Sequence, residues 1–181
     1  MSLLQIMTED GDVLTRTTDP ARIAAELAER GVAFERWELK GPGDPLTAYA
    51  EEIAALRRTG GYRLVDVVRL DADEVDPDTA RAARAKFLDE HVHDEDEVRF
   101  FADGTGCFYL HLGDRVHAVV CEAGDLLSVP SGTRHWFDTG ATPRFTAVRF
   151  FQEEDGWLAD FTGDPVALRI PTLDELLEAT P

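Results

Sequence analysis

Apolar and polar positions along the chain follow two regimes that change near residue 87. Before it, helical and strand-like runs are mixed. Leu3 to Met7 and Val13 to Thr15 read as two short strands around an Asp10-Gly11 turn. Thr18-Asp19-Pro20 opens a helix that Gly31 closes, with Ile23 and Leu27 on its apolar stripe. Val32 to Leu39 reads as a strand, and Pro45 leads into a second helix, about Thr47 to Arg58, that ends at Gly60-Gly61. Its closing Arg57-Arg58 suits the negative end of the helix dipole. Tyr62 to Leu70 is a further strand, and Asp76-Pro77-Asp78 starts a helix running towards Phe87.

From His91 to Phe151 the pattern is almost entirely β. Short apolar runs are separated by Asp103-Gly104, Gly113-Asp114, Gly124-Asp125, Pro130-Ser131-Gly132 and Asp138-Thr139-Gly140. Turn signals at that spacing predict a compact antiparallel barrel or sandwich. After Gly156-Trp157, Phe161 and Pro165 mark irregular chain, and Thr172 to Thr180 reads as a short helix capped by Thr172 with Glu175. The expectation is a mainly β protein with flanking helices, folded as a single domain over residues 1–181. Its parts are a mixed helix and strand region over 1–86, a β core over 87–163 and a tail over 164–181.

Composition narrows the functional classes. The 181 residues carry 36 acids against 18 bases, a formal net charge of −18. That balance argues against nucleic acid, whose phosphates need a basic face, and against anionic lipid. The longest stretch free of Asp, Glu, Lys and Arg is the ten residues Gly104 to Gly113, far short of a membrane span. No basic, apolar leader opens the chain, and the two cysteines, Cys107 and Cys121, lack C-x-x-C spacing. They read as buried, reduced thiols in a cytoplasmic protein.

All five histidines lie between positions 91 and 135. On an extended strand His91, His93, Glu97 and Arg99 share a face, so two imidazoles, a carboxylate and a guanidinium project together. His135 follows a Pro130-Ser131-Gly132 turn at the start of the next strand. His111 and His117 read differently. If Gly113-Asp114 is a two-residue turn, Leu110 pairs with His117, which puts His111 and His117 on opposite faces, away from any shared site.

The sequence His91-x-His93-x3-Glu97-x6-Gly104 resembles the first motif of the cupin superfamily, although the leading glycine is missing. Gly124-x5-Pro130-x-Gly132-x2-His135 fits the second motif, with Thr139 in place of the terminal Asn. The resemblance implies a cupin-type antiparallel β-barrel or jelly roll with an N-terminal α+β elaboration and a short C-terminal helix. It also implies a metal held by His91, His93, Glu97 and His135. Such a set leaves positions open for a chelating oxygen substrate, unlike a closed structural zinc site.

Phe87-Leu88-Asp89-Glu90-His91-Val92-His93, Glu97-Val98-Arg99-Phe100-Phe101, Val129-Pro130-Ser131-Gly132-Thr133-Arg134-His135-Trp136-Phe137-Asp138 and Gly156-Trp157 further resemble the acireductone dioxygenase family. That resemblance is dense from about Phe87 to Gly163. It implies a cytoplasmic, monomeric enzyme of methionine salvage that cleaves 1,2-dihydroxy-3-keto-5-methylthiopentene with O2, using one Fe(II) or Ni(II) per chain. Fe(II) would give formate and 4-methylthio-2-oxobutanoate; Ni(II) would give 3-methylthiopropanoate, formate and carbon monoxide. Arg99 would generate or hold the substrate dianion. Glu90 and Asp96 fall where the family places residues tied to metal incorporation and local conformational change. Phe87, Phe137 and Trp157 would wall the pocket, and Arg149 reads either as a second anion contact or as a rim salt bridge. Two alternatives are a cupin oxygenase for another enediol or diketone, and a non-catalytic metal-containing cupin that binds a small ligand.

Overall fold

A computed structural model describes residues 1–154, 156 and 158–179. In chain order the elements are β1 (Leu3–Thr8), β2 (Val13–Thr17), α1 (Pro20–Ala28), β3 (Ala33–Arg36), α2 (Pro45–Ala48), α3 (Ala50–Gly60), β4 (Leu64–Asp71), α4 (Pro77–Ala85) and β5 (His91–Val92). There follow β6 (Glu97–Leu112), β7 (Arg115–Glu122), β8 (Asp125–Val129), β9 (Arg134–Asp138), β10 (Arg144–Phe151), β11 (Asp160–Phe161), a 3-10 helix over Pro165–Arg169 and α5 (Leu173–Glu178). Asp19, Asp44, Asp76 and Asp164 cap helices that each begin with proline, a pairing that supplies the acceptor and fixes φ at the first helical residue. Thr172 and Glu175 form the expected capping box of α5. The second predicted helix is broken at Tyr49 into α2 and α3, because Tyr49 leaves helical geometry to bury its ring. No helix among the described residues is long and apolar enough to cross a membrane.

The long strand β6 organises the rest. The pairings are antiparallel, and the eleven strands form one network that branches at β6. Its first residues, Glu97 to Phe100, pair with β8, and its Val98 to Thr105 stretch pairs with β10, which carries β4 on its far side. Its second half pairs with β7, leading to β1 and β2, and with β9, leading to β5 and β11. Among the described residues the ladder does not return on itself: two open wings share one strand, the sandwich-like form of the expected barrel or jelly roll, in a cupin-like arrangement. Asp103-Gly104, expected to end a strand, lies inside β6 beside a bulge at Ala102. A Cβ at Gly104 would lie 1.9 Å from the Arg144 carbonyl oxygen, and its φ is +73°, so glycine allows β6 to bend there without ending.

Apolar residues fill the space between the wings and cover both outer faces. Leu4, Phe108, Leu110 and Val119 from one wing meet Phe101, Leu127, Val129, Phe145 and Ala147 from the other. The outer face of the β7–β9 wing, carrying Cys107, Tyr109 and Trp136, is covered by Val166, Ile170, Leu173 and Leu176. Tyr109 stacks on Trp136 with centroids 5.1 Å apart and planes 3° apart, a contact worth about 0.5–1.5 kcal/mol beyond burial. Helix α3 and Tyr49 cover the outer face of the β10 wing through Ile53, Phe100, Val148 and Phe150. Both cysteines are buried and free, as expected.

Candidate metal centre

One end of the space between the wings holds ionisable groups instead of apolar ones. His91 comes from β5, His93 from the bend after it, Glu97 from the first position of β6 and His135 from β9. The single strand expected from His91 to Arg99 is interrupted over residues 93–96. The interruption has a local cause. Glu95 turns away to accept the Gln152 and Glu153 amides at 2.6 and 2.7 Å, and Asp96 accepts the Ser131 amide at 2.9 Å. The four side chains still converge, because β9 pairs His135 with both His91 and Leu110, whose side chain belongs to the core between the wings. One potential ligand atom from each of the four lies within 4.8 Å of the others.

Hydrogen bonds fix which nitrogen of each ring faces inward. His91 Nδ1 lies 2.8 Å from the Asp89 carbonyl, His93 Nδ1 2.6 Å from that of Leu158, and His135 Nδ1 2.7 Å from that of Thr133. A carbonyl only accepts, so each ring donates from Nδ1 and turns Nε2 to its neighbours. Glu97 Oε2 then sits 2.5 Å from His135 Nε2 and 3.4 Å from His93 Nε2. A lone pair and a carboxylate facing each other at that distance need a cation in common, either a proton or a metal ion. The donor set of imidazole nitrogens and one carboxylate fits a divalent transition metal.

The electrostatics agree with that division. Burial, reinforced by the neighbouring His135, pushes His91 down to about 4, so its ring is neutral near pH 7. Burial pulls His93 the same way, but its contact with Glu97 carries it above the ordinary value. Burial alone would raise Glu97; Arg99 and His135 beside it hold its carboxyl well below the usual range. Arg99 Nη2 lies 2.6 Å from Glu97 Oε1, which leaves Oε2 for the histidines. The Arg99 guanidinium also stands over the Phe151 ring at 5.3 Å.

A cavity of about 360 Å³ opens from this cluster and is lined by His91, His93, Glu97 and Arg99 at one end. Phe87 and Phe137 also line it. Arg149 lines it too, opposite Arg99 across the β6–β10 ladder, while forming a two-pronged ion pair with Asp66 at 2.8 and 2.6 Å. Glu90 and Asp96 are not among the lining residues: Asp96 serves the Ser131 turn, and Glu90 lies on the opposite face of the sheet beside His111. Trp157 lies outside the described residues. His111 and His117 fall on opposite faces through the Leu110–His117 pairing, as expected.

Sequence reasoning missed the apolar far wall, formed by Val68, Leu70, Phe145 and Ala147. A usable signal existed. Phe145, Ala147 and Arg149 alternate along β10, so one strand face supplies both wall and cation. It also missed Gly106, where a Cβ would come within 2.5 Å of the Phe137 ring, so only glycine leaves that ring its place.

Residues 4–159 match the family model described as the ARD/ARD' family. The chain is 58% identical to acireductone dioxygenase 2 of Nocardia farcinica (strain IFM 10152) over 99% of its own length and all of that relative. It is 53% identical to acireductone dioxygenase of Frankia alni (strain DSM 45986 / CECT 9034 / ACN14a), covering 97% of this chain and 91% of that one. Among solved structures it is similar to acireductone dioxygenase from Bacillus anthracis with a cadmium ion in its active centre. That match has a TM-score of 0.76 and 28% identity, over 89% of this chain and 98% of that one. The chain belongs to the acireductone dioxygenase family of dioxygenase enzymes.

Proposed function

We propose that His91, His93, Glu97 and His135 hold one Fe(II) or Ni(II) ion per chain and that Arg99 serves the substrate beside it. The reaction is cleavage of 1,2-dihydroxy-3-keto-5-methylthiopentene with O2 in methionine salvage. The observation that carries this reading is the locking of the three imidazoles by main-chain carbonyls, which aims their Nε2 atoms at one carboxylate. A cadmium ion occupies the active centre of the Bacillus anthracis relative, which supports a resident metal here. When bound, the ion supplies Lewis-acid and redox chemistry for an enediolate and O2. The choice of metal selects the products: formate and 4-methylthio-2-oxobutanoate with iron, or 3-methylthiopropanoate, formate and carbon monoxide with nickel.

The chain's own groups then have separate tasks. A divalent ion with three neutral imidazoles and one carboxylate keeps one positive charge, so a dianionic enediolate leaves one negative charge over. Arg99, buried beside Glu97, offsets it and favours the dianion over the monoanion. Phe87, Phe137 and the wall from β10 exclude water and hold the thioether. Arg149, tied to Asp66, marks the anion-facing rim. Glu90 and Asp96 are positioning residues, since neither lines the cavity. We further propose that the chain works as a cytoplasmic monomer folded as one domain.

The test is anaerobic mixing of metal-loaded protein with the enediol, followed by O2, while watching the substrate's ultraviolet band. Accelerated loss of the band with Fe(II)- or Ni(II)-loaded protein is expected. Failure of both forms would contradict the proposal, and faster turnover of a thioether-free substrate would point to another enediol or diketone.

A further inference from the structure

Directly behind the metal centre, on the other face of the sheet, lies a second group of ionisable side chains. Its placement follows from register. His91 pairs with His135 and His135 with Leu110, so Glu90 and His111, one position away in each case, point to the opposite face. Both side chains are fully buried. Glu90 Oε2 lies 2.5 Å from His111 Nδ1, and His111 Nε2 lies 2.8 Å from Glu9 Oε1, so carboxylates meet the ring at both nitrogens.

Glu90, His111 and Asp164 bring ligand-type atoms within 4.8 Å of one another, which invites reading them as a second metal site. The partners argue otherwise. Arg134 already stands 4.0 Å from Glu90 and 3.9 Å from Asp164, and Glu90 Oε1 accepts the Thr162 hydroxyl at 2.7 Å. Arg134 supplies this group with its own cation.

What it anchors is more informative. Two of the three carbonyls that orient the metal-facing imidazoles belong to Asp89 and Leu158. Asp89 immediately precedes Glu90. Leu158 leads into β11, which pairs with β5 through Asp160–Val92 and Phe161–His91. Just beyond, Thr162 is bonded to Glu90 by its amide to the carbonyl at 3.1 Å and by its hydroxyl to the carboxylate at 2.7 Å and to the carbonyl at 3.4 Å. Glu90 thus ties together the two main-chain segments that aim His91 and His93, and His111 holds the buried carboxylate of Glu90 in place.

We propose that His111 is a positioning residue for the metal centre: by clamping Glu90 it fixes the 89–91 segment and the 158–162 strap whose carbonyls orient His91 and His93. The inference rests on the metal reading of the inner cluster. Loosening the clamp leaves all four ligands present but frees two rings to turn, which lowers metal affinity without removing a donor. Changes to such supporting groups typically cost about 10–100-fold in affinity.

The experiment measures Co(II) affinity of the full chain by chelator competition, alongside thermal unfolding of the metal-free protein. His111→Ala and Thr162→Val should each raise Kd, His111→Ala by about 10–100-fold. The double variant should be no weaker than His111→Ala alone, because both act through Glu90, and His111→Gln, which keeps a donor for Glu90, should recover much of the loss. His117→Gln, altering a buried histidine on the face opposite His111, should leave Kd unchanged. If His111→Ala fails to fold, Thr162→Val still decides, since it removes only a hydroxyl. Unchanged Kd in folded His111→Ala or in Thr162→Val would overturn the proposal, as would two ions bound per wild-type chain. Wild-type protein that binds no Co(II) would overturn the metal centre itself.

Discussion

Two groups of histidines and carboxylates sit back to back across a single layer of sheet, and they are completed differently. On the inner face each imidazole gives its Nδ1 proton to a main-chain carbonyl and keeps Nε2 aimed at Glu97. On the outer face His111 meets carboxylates at both nitrogens, and Arg134 and Thr162 complete the set around Glu90. The residue types are the same. What separates a metal centre from a structural ion cluster is which lone pairs remain without a proton donor, and main-chain carbonyls decide that. The outer cluster in turn holds the main chain that carries the inner one.

The contrast is broken most severely at the inner face. His135→Ala should lower metal affinity by more than the roughly 100-fold that marks the upper range for supporting groups, with the fold retained. Metal content after gel filtration, with circular dichroism on the same sample, measures both.

An outer-face change should do the reverse. Asp138 is buried and accepts from Arg84 at 2.7 and 2.9 Å and from the Gly140 and Leu173 amides at 2.9 Å each. Asp138→Ala should cost about 3 kcal/mol in urea unfolding, because it leaves Arg84 and buried amides unpaired, while metal affinity stays unchanged. Burial would raise this carboxyl, but Arg84 and those amides hold it below 3.8. A carboxyl depressed on folding contributes stability that is full above its unfolded value and is lost as pH falls through the folded one. The gap between wild type and variant should therefore be widest near neutral pH and close below 3.8.

Gly106→Ala should act through the cavity wall. Its Cβ would meet the Phe137 ring at 2.5 Å and drive it from its seat, costing about 1–3 kcal/mol in stability and raising KM more than it lowers kcat. The smallest effect belongs to His117, buried on the inner side with Nδ1 unpartnered and pushed down to about 4 by burial and by Arg30 and Arg115. The folded state binds the proton less tightly than the unfolded chain, so this part of the stability is lost as pH falls from 6.5 towards 4. His117→Gln should flatten that slope in thermal unfolding without changing metal content.

The candidate ligands were legible because spacing along strands records which residues share a face. His91, His93 and Glu97 converge as their parity predicts even though the chain bends between them, since each flanking segment pairs into the same network. The hairpin register that separated His111 from His117 was legible for the same reason. What locks the inner rings was not. The Asp89, Thr133 and Leu158 carbonyls belong to the backbone, which every residue shares, and Leu158 reaches His93 from 65 positions away. Nor could the sequence show that Asp103-Gly104 bends β6 without ending it, because a bulge and a turn use the same residues; the difference lies in Arg144, whose carbonyl approaches Gly104 from the partner strand.

The decisive experiment is elemental analysis of protein reconstituted anaerobically with Fe(II) or Ni(II) and then desalted, for wild type, His135→Ala and His117→Gln. One ion per chain in wild type and His117→Gln, with almost none in His135→Ala, is the predicted result. A full complement retained by folded His135→Ala, or a metal-free wild type, would contradict the assignment of the inner cluster as the metal centre.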